Sequence, residues 1–191
     1  MKIDLGYSDE SNAKRQHAYN LLLAKSYSAA REHFEQIFDG TDTSIAAYLG
    51  HLHSVKDSSE YNRNLARAYF KIAASGGDSY AQHALGGILL EDGDEEEAIN
   101  SYKCASDQGN SECSYVLAGI YMRRGESELA EQFLNRAVDQ GHPLAIQNLA
   151  VRYMIGRYGP GKIFIGVRMY IKNLRNLAEY AKGHAESHMR R

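Results

Sequence analysis

Three stretches of this chain align without a gap at a spacing of 32 residues: GDSYAQHALGGIL from Gly77, GNSECSYVLAGIY from Gly109 and GHPLAIQNLAVRY from Gly141. Self-similarity at such a period restricts the fold to stacked supersecondary units, because one unit cannot bury its own apolar face. Ala81, Cys113 and Ala145 share one column, and Leu85, Leu117 and Leu149 share the next. Gly86, Ala118 and Ala150 follow, then Leu89, Tyr121 and Tyr153. The steps between these columns are four, one and three residues, which is one face of an α-helix.

A second stripe accompanies the first. Ala66, Ala98 and Ala130 share a column, as do Phe70, Tyr102 and Leu134, and then Ala73, Ala105 and Ala137. Gly93 and Gly125 precede this stripe, and Gly77, Gly109 and Gly141 follow it, at points where a helix must end and the chain must turn. Columns of Ala and Gly mark close helix crossings, with Leu, Phe or Tyr filling the grooves beside them. The predicted unit is a helix, a turn, a second helix and another turn.

An earlier copy lies at an offset of 36, with Ala30, Phe34, Ile37 and Gly40, then Ile45, Leu49 and Gly50, in matching columns. Its four extra residues fall in the polar connector from Lys56 to Asn62. The apolar residues of AYNLLLA predict an opening helix over about 11–26. After Tyr153 the pattern gives way to a glycine-rich loop, IGRYGPGK, and a long helix over about 163–182. The expected architecture is all-α: about ten helices in five hairpins, no strands, and one repeat domain over 1–191. The best repeats cover 30–153 and the outer hairpins act as caps. Only two prolines, Pro143 and Pro160, interrupt the chain.

Hydrophobic residues at 43% and charged residues at 24% suit a packed domain. The N-terminal segment lacks the apolar run of a signal peptide, and the longest uncharged apolar stretch, Ile163 to Val167, is too short to span a bilayer. A cytoplasmic protein is the expectation. Cys104 and Cys113 do not form a disulfide framework and are expected to be free thiols. The 14 tyrosines fill helix seams or serve a contact surface. The net charge of −2 hides an asymmetry: residues 152–191 carry +7, leaving −9 on residues 1–151. Such an imbalance bears on partners and not on fold.

The Ala-x3-Leu-Gly run at Ala81–Gly86, the Ala-Ser-x-x-Gly-x-x-x-Cys run at Ala105–Cys113, and AVDQGHPLAIQNLAVRY from Ala137 to Tyr153 resemble Sel-one-like repeats. These are relatives of the tetratricopeptide repeats, whose period is about 34 residues. The resemblance covers roughly Ala30 to Tyr153. It implies a right-handed solenoid of antiparallel helix hairpins that works as an interaction scaffold or adaptor. A secreted branch of the family bridges units with cysteine pairs, each one position later than Cys104 and Cys113, so neither its disulfides nor its suggested hydrolytic activities carry over.

The resemblance also implies that the first helix of each hairpin lines a concave face. Tyr48, His51, His83, Tyr115, Arg123, Gln147 and Asn148 are the candidate groove residues, a set suited to peptide recognition by stacking and hydrogen bonding. An ordinary polar surface is the competing reading of the same residues. In the long C-terminal helix, Ile163, Val167, Tyr170, Ile171, Leu174 and Ala178 are expected to form one apolar stripe, with Arg168, Lys172, Arg175 and Lys182 forming a basic surface on the other sides. The helix is either a cap with a basic outer face or a dock for an acidic partner or an anionic membrane surface.

No catalytic motif is visible, and no cofactor or metal is expected. His184 and His188 share a helix face, but a zinc site needs three or four ligands, and Ala185 stands where a zincin motif requires Glu. The EDGDEEE run from Glu91 lacks the ligand spacing of a calcium loop and instead places carboxylates at a helix N-terminus. GRYGPGK from Gly156 lacks the elements of a P-loop. Nucleic acid is disfavoured as a partner by the acidic body. A protein partner of unknown identity is the expectation, with a small-molecule binder or hidden enzyme as the lesser alternative.

Overall fold

The computed structural model describes residues 9–55 and 61–189, with side chains described for residues 10–55 and 61–183. Among the described residues there are ten α-helices, one 3-10 turn and no strand. They form two compact units, one ending at Ile88 and the other starting at Leu89.

The first unit holds α1 (Asp9–Leu23), α2 (Tyr27–Ile37), α3 (Thr43–Ser54), α4 (Arg63–Ser75) and most of α5 (Ser79–Asp92). Ala18, Ala30, Phe34, Ile45, Leu49 and Leu52 make its core, and Leu21, Leu22, Tyr48 and Tyr69 pack around them. Burying each of the larger side chains is worth about 1.5–3 kcal/mol. Gly50 belongs to the small-residue column because α4 comes close: a Cβ there would stand 2.6 Å from the Phe70 ring. The Arg15 guanidinium of α1 donates to the Asp42 carboxylate, tying α1 to the start of α3.

The second unit begins with the end of α5. It continues through α6 (Glu95–Asp107), α7 (Ser111–Arg123), α8 (Ser127–Asp139), α9 (Pro143–Met154), the 3-10 turn Pro160–Lys162 and α10 (Ile163–Met189). Ala98, Tyr102 and Ala105 of α6, Cys113 and Leu117 of α7, Ala130, Leu134 and Ala137 of α8, and Ala145 and Leu149 of α9 are buried, so the repeat columns are the core. A buried polar chain crosses three of these helices. The Ser106 and Ser114 hydroxyls lie 2.7 Å apart, Ser114 donates to Gln140 Oε1 at 2.6 Å, and Gln140 Nε2 donates to the Ser106 carbonyl at 2.9 Å.

The turns repeat as faithfully as the columns. At the end of α6, the Gly109 amide donates to the Ser106 carbonyl and the Asn110 amide to the Ala105 carbonyl, with Gly109 at φ +91°. This pair of bonds satisfies the last carbonyls of the helix, and the left-handed residue it needs is best supplied by glycine. A side chain one or two residues after the turn glycine then caps the following helix. Asp42 accepts from the Ser44 and Ile45 amides, Asp78 from Ala81 at 2.7 Å, Asn110 from Cys113 at 3.1 Å, and His142 from Ala145 at 3.2 Å. Three kinds of side chain, Asp, Asn and His, thus serve one repeat position as N-caps.

Two boundaries differ from the sequence expectation. The opening helix stops at Leu23, where Lys25 takes φ +59° in the slot that Gly93 and Gly125 fill later. The last helix runs on to Met189. In the connector Lys56–Asn62, residues 56–60 lie outside the described residues, as do the side chains of His184 and His188.

Candidate functional site: a groove in the second unit

The first helix of each hairpin in the second unit, α7 and then α9, presents one flank to an open groove of about 380 Å³. Tyr115, Val116 and Met122 of α7 and Leu144 of α9 give it an apolar floor. Asn148, Arg152 and Glu112 supply its polar groups, and Tyr180 of α10 also lines it. Gly119 keeps the middle of α7 low, and an added Cβ there would meet nothing within 4 Å. Gln147 and Val151 extend the same surface beyond Asn148 and Arg152.

One edge of the groove is rigid. His142 Nδ1 accepts from the Ala145 amide and therefore carries no proton, so the proton sits on Nε2, which donates to Glu112 Oε2 at 2.9 Å. The Tyr180 hydroxyl donates to the same oxygen at 3.1 Å. The Tyr115 ring stacks on the His142 imidazole at 4.5 Å, and Tyr180 meets it edge-on at 5.4 Å. Burial and then the Glu112 charge raise the Tyr180 hydroxyl above its ordinary pKa, which keeps it a donor. Tyr115 is held by this stack and offers its remaining face and edge to the groove.

The sequence candidates fall into separate places. Tyr115, Gln147 and Asn148 come together here. Arg123 does not line this groove: it is exposed at the end of α7, 3.4 Å from Glu95 Oε2. Beside it, Arg124 reaches Glu95 at 2.6 Å and Glu96 at 2.7 Å, so the acidic run at the start of α6 serves ion pairs. In the first unit, Tyr48 stacks on Phe34 at 5.0 Å and lies 5.8 Å from Tyr19, with burial raising its hydroxyl pKa. His51 Nδ1 lies 2.8 Å from the Tyr80 hydroxyl, and burial lowers its pKa. His83 is half-buried on α5. Glu112, His142, Arg152 and Tyr180 were not among the sequence candidates. The available signal was the cap column, in which His142 stands where Asp78 and Asn110 stand.

Arg168, Lys172, Arg175 and Lys182 are all exposed on α10. The predicted apolar stripe of that helix divides in two. Ile163 and Tyr170 are half-buried, while Val167, Ile171, Leu174 and Ala178 face solvent. The packed face is instead set by Gly166, Asn173 and Tyr180. A Cβ at Gly166 would stand 2.6 Å from the Ala150 carbonyl oxygen, and Asn173 Nδ2 donates to the Pro143 carbonyl at 2.6 Å. Among the described residues no helix is long and apolar enough to cross a membrane, and no group of three His, Cys, Asp or Glu could hold a metal.

The helix hairpins and the caps at one repeat position define an all-α helical-repeat fold. A tetratricopeptide repeat family model matches residues 89–152. The fold is also that of a Sel1 repeat protein from Oxalobacter formigenes, at 21% identity over 85% of this chain and 68% of that one, with a TM-score of 0.68. A protective antigen of uropathogenic Escherichia coli strains, displaying an SLR fold, aligns at 22% identity and TM-score 0.67 over 85% of this chain, which spans only 38% of that protein. MamA from Desulfovibrio magneticus RS-1 aligns at 14% identity and TM-score 0.58, over 88% of this chain and 95% of that one. Curated protein sequences give no match. The fold is therefore that of the Sel1-like repeat structures, and the tetratricopeptide likeness in sequence covers residues 89–152.

Proposed function

We propose that the chain is a non-catalytic interaction scaffold whose second unit takes an extended segment of a partner protein along the α7–α9 groove. The observation that carries this reading is the groove's composition: an apolar floor of Val116, Met122 and Leu144 beside Tyr115, Asn148 and Arg152. Amide side chains such as Asn148 and Gln147 can both donate to and accept from a peptide backbone, while the floor takes alternate side chains. Arg152 adds a positive charge suited to a carboxylate on the bound segment. Its openness argues against a small-molecule site, which would bury most of its ligand.

Peptide-phage display against the full chain tests the proposal. Enriched peptides should bind the wild type and lose at least about tenfold in affinity, roughly 1.4 kcal/mol, to Asn148→Ala and to Arg152→Ala. Peptides that bind both variants as well as the wild type, or no enrichment at all, would remove the groove as the site.

A further inference from the structure

Five of the solvent-facing apolar residues of α10 fall three, four, three and four apart, Phe164, Val167, Ile171, Leu174 and Ala178, with exposed Ile165 beside them at the N-terminal end. That is the a/d spacing of a coiled-coil seam, and it is narrower than the broad stripe by which a helix packs on a globular core. The residues are truly outward: Phe164 is 84% exposed, Ile171 63% and Leu174 48%. The opposite side of α10, through Gly166, Asn173 and Tyr180, already holds it to its own unit.

The flanks of the seam differ from one another. With Phe164 and Ile171 at position a, the three e positions are Arg168, Arg175 and Lys182, all basic and exposed. The g positions, Ile163, Tyr170 and Leu177, are half-buried beside the packed face. Glu179 offsets Arg175 through an exposed contact of 3.2 Å, which is a weak tie.

We propose that this seam docks an amphipathic helix of a partner protein whose apolar stripe is bordered by Asp or Glu. Charge complementarity selects that occupant over the others. An antiparallel second copy would set e against e, placing Arg168, Arg175 and Lys182 against their own kind. A parallel copy would set e against g, where Tyr170 and Leu177 offer no charge. A helix lying on lipid carries basic residues on both borders of its apolar face, whereas here Arg168, Arg175 and Lys182 border one side only and the other side is the packed face. The inference rests on the reading of the chain as an interaction scaffold, but uses none of the groove residues.

The probe is a fluorescein-labelled helical peptide of about 21 residues, three heptads, with Leu at a and d and Glu at e and g. Its counterpart carries Lys in place of Glu. Fluorescence anisotropy with the full chain should show binding of the acidic peptide alone. Ile171→Glu, at an exposed position that leaves the fold intact by circular dichroism, should weaken it by at least about tenfold. The double variant Arg168→Glu/Arg175→Glu should lose the acidic peptide and gain the lysine one. Asn148→Ala should change nothing, which separates this result from failure of the groove. Equal binding of both peptides, loss on Asn148→Ala with Ile171→Glu unaffected, or concentration-dependent dimerisation abolished by Ile171→Glu would overturn the proposal. So would binding to phosphatidylglycerol-containing vesicles in place of the acidic peptide.

Discussion

His142 caps α9 with one ring nitrogen and with the other donates to Glu112 at the first turn of α7, 2.9 Å away. A cap that only satisfied the Ala145 amide could be Asn, as at position 110, or Asp, as at position 78. The imidazole does more because its second nitrogen and its face reach Glu112, Tyr115 and Tyr180.

His142→Asn and His142→Ala separate these two roles. Both should loosen the groove edge, weakening binding of a groove peptide and releasing the Tyr115 and Tyr180 rings. The alanine variant should lose a further 1 kcal/mol or about that, the usual worth of an N-cap. Urea melts of the two variants beside wild type measure the difference. Equal stability would show that the ring nitrogen contributes no cap.

Asp42 is the cap of α3 and the partner of Arg15, and its ionisation is linked to the fold. Burial disfavours its charge, but the Ile45 amide and the Arg15 guanidinium outweigh burial and hold the carboxyl below its ordinary pKa. A folded pKa below the unfolded one means the stabilisation is fully present above the unfolded value, about 4 for aspartate, and is lost as pH falls through the folded value. Asp42→Asn keeps a capping oxygen but removes the charge. The variant should be less stable than wild type at pH 7, and the gap should close in denaturant melts taken from pH 4 downward. A gap independent of pH would mean that the ion pair with Arg15 contributes nothing.

The two cysteines should react very differently. Cys104 is exposed on α6, whereas Cys113 is fully buried in α7, where burial and then the Glu112 charge push its thiol up to about 12. A protonated, enclosed thiol is a poor nucleophile. Ellman's reagent at neutral pH should titrate one thiol in the native protein and a second only on unfolding. Two fast thiols would show that α7 opens readily.

Lys25 occupies a left-handed slot that Gly93 and Gly125 fill in the later repeats. A side chain in that region costs about 1–2 kcal/mol, while glycine adds entropy to the unfolded chain. Lys25→Gly should therefore stabilise the chain by some tenths of a kcal/mol up to about 1 kcal/mol. A lower melting midpoint would show that the lysine side chain has a compensating contact.

Much of the fold was legible because the repeat columns report burial directly: Ala81, Cys113 and Ala145 are all fully enclosed. Only a small side chain fits where two helices cross, so composition at a column tracks distance. The facing of α10 was not legible in that way. Its apolar residues cover two faces, and the choice between them falls to Gly166 and Asn173, which a hydropathy reading counts as neutral or polar. A backbone carbonyl that needs a donor, at Pro143, is invisible in sequence. The groove was legible in part. Tyr115, Gln147 and Asn148 follow from their place on the first helices, but His142 lies outside the apolar columns, between Gly141 and Pro143, and Tyr180 enters from a helix outside the repeat.

Gly166 should be the residue on which the seating of α10 depends. Alanine normally favours a helix over glycine by about 0.8–1 kcal/mol. At Gly166, however, the new methyl would press on the Ala150 carbonyl oxygen at 2.6 Å and on the Tyr153 Cβ at 2.8 Å, neither of which is the far end of a flexible side chain. Overpacking of this kind costs about 1–3 kcal/mol, so the steric loss exceeds the helical gain. Gly183, further along the same helix, has nothing within 4 Å of an added Cβ and serves as the control. Gly166→Ala should lower stability in urea and speed tryptic cutting at Lys172 and Arg175, while Gly183→Ala should leave stability equal or slightly higher. Because Tyr180 rides on α10 and lines the groove, Gly166→Ala should also weaken groove peptides, and Gly183→Ala should not. If the two variants behave alike, α10 is held by Asn173 and Tyr180 alone, and the close crossing at Gly166 carries no energy.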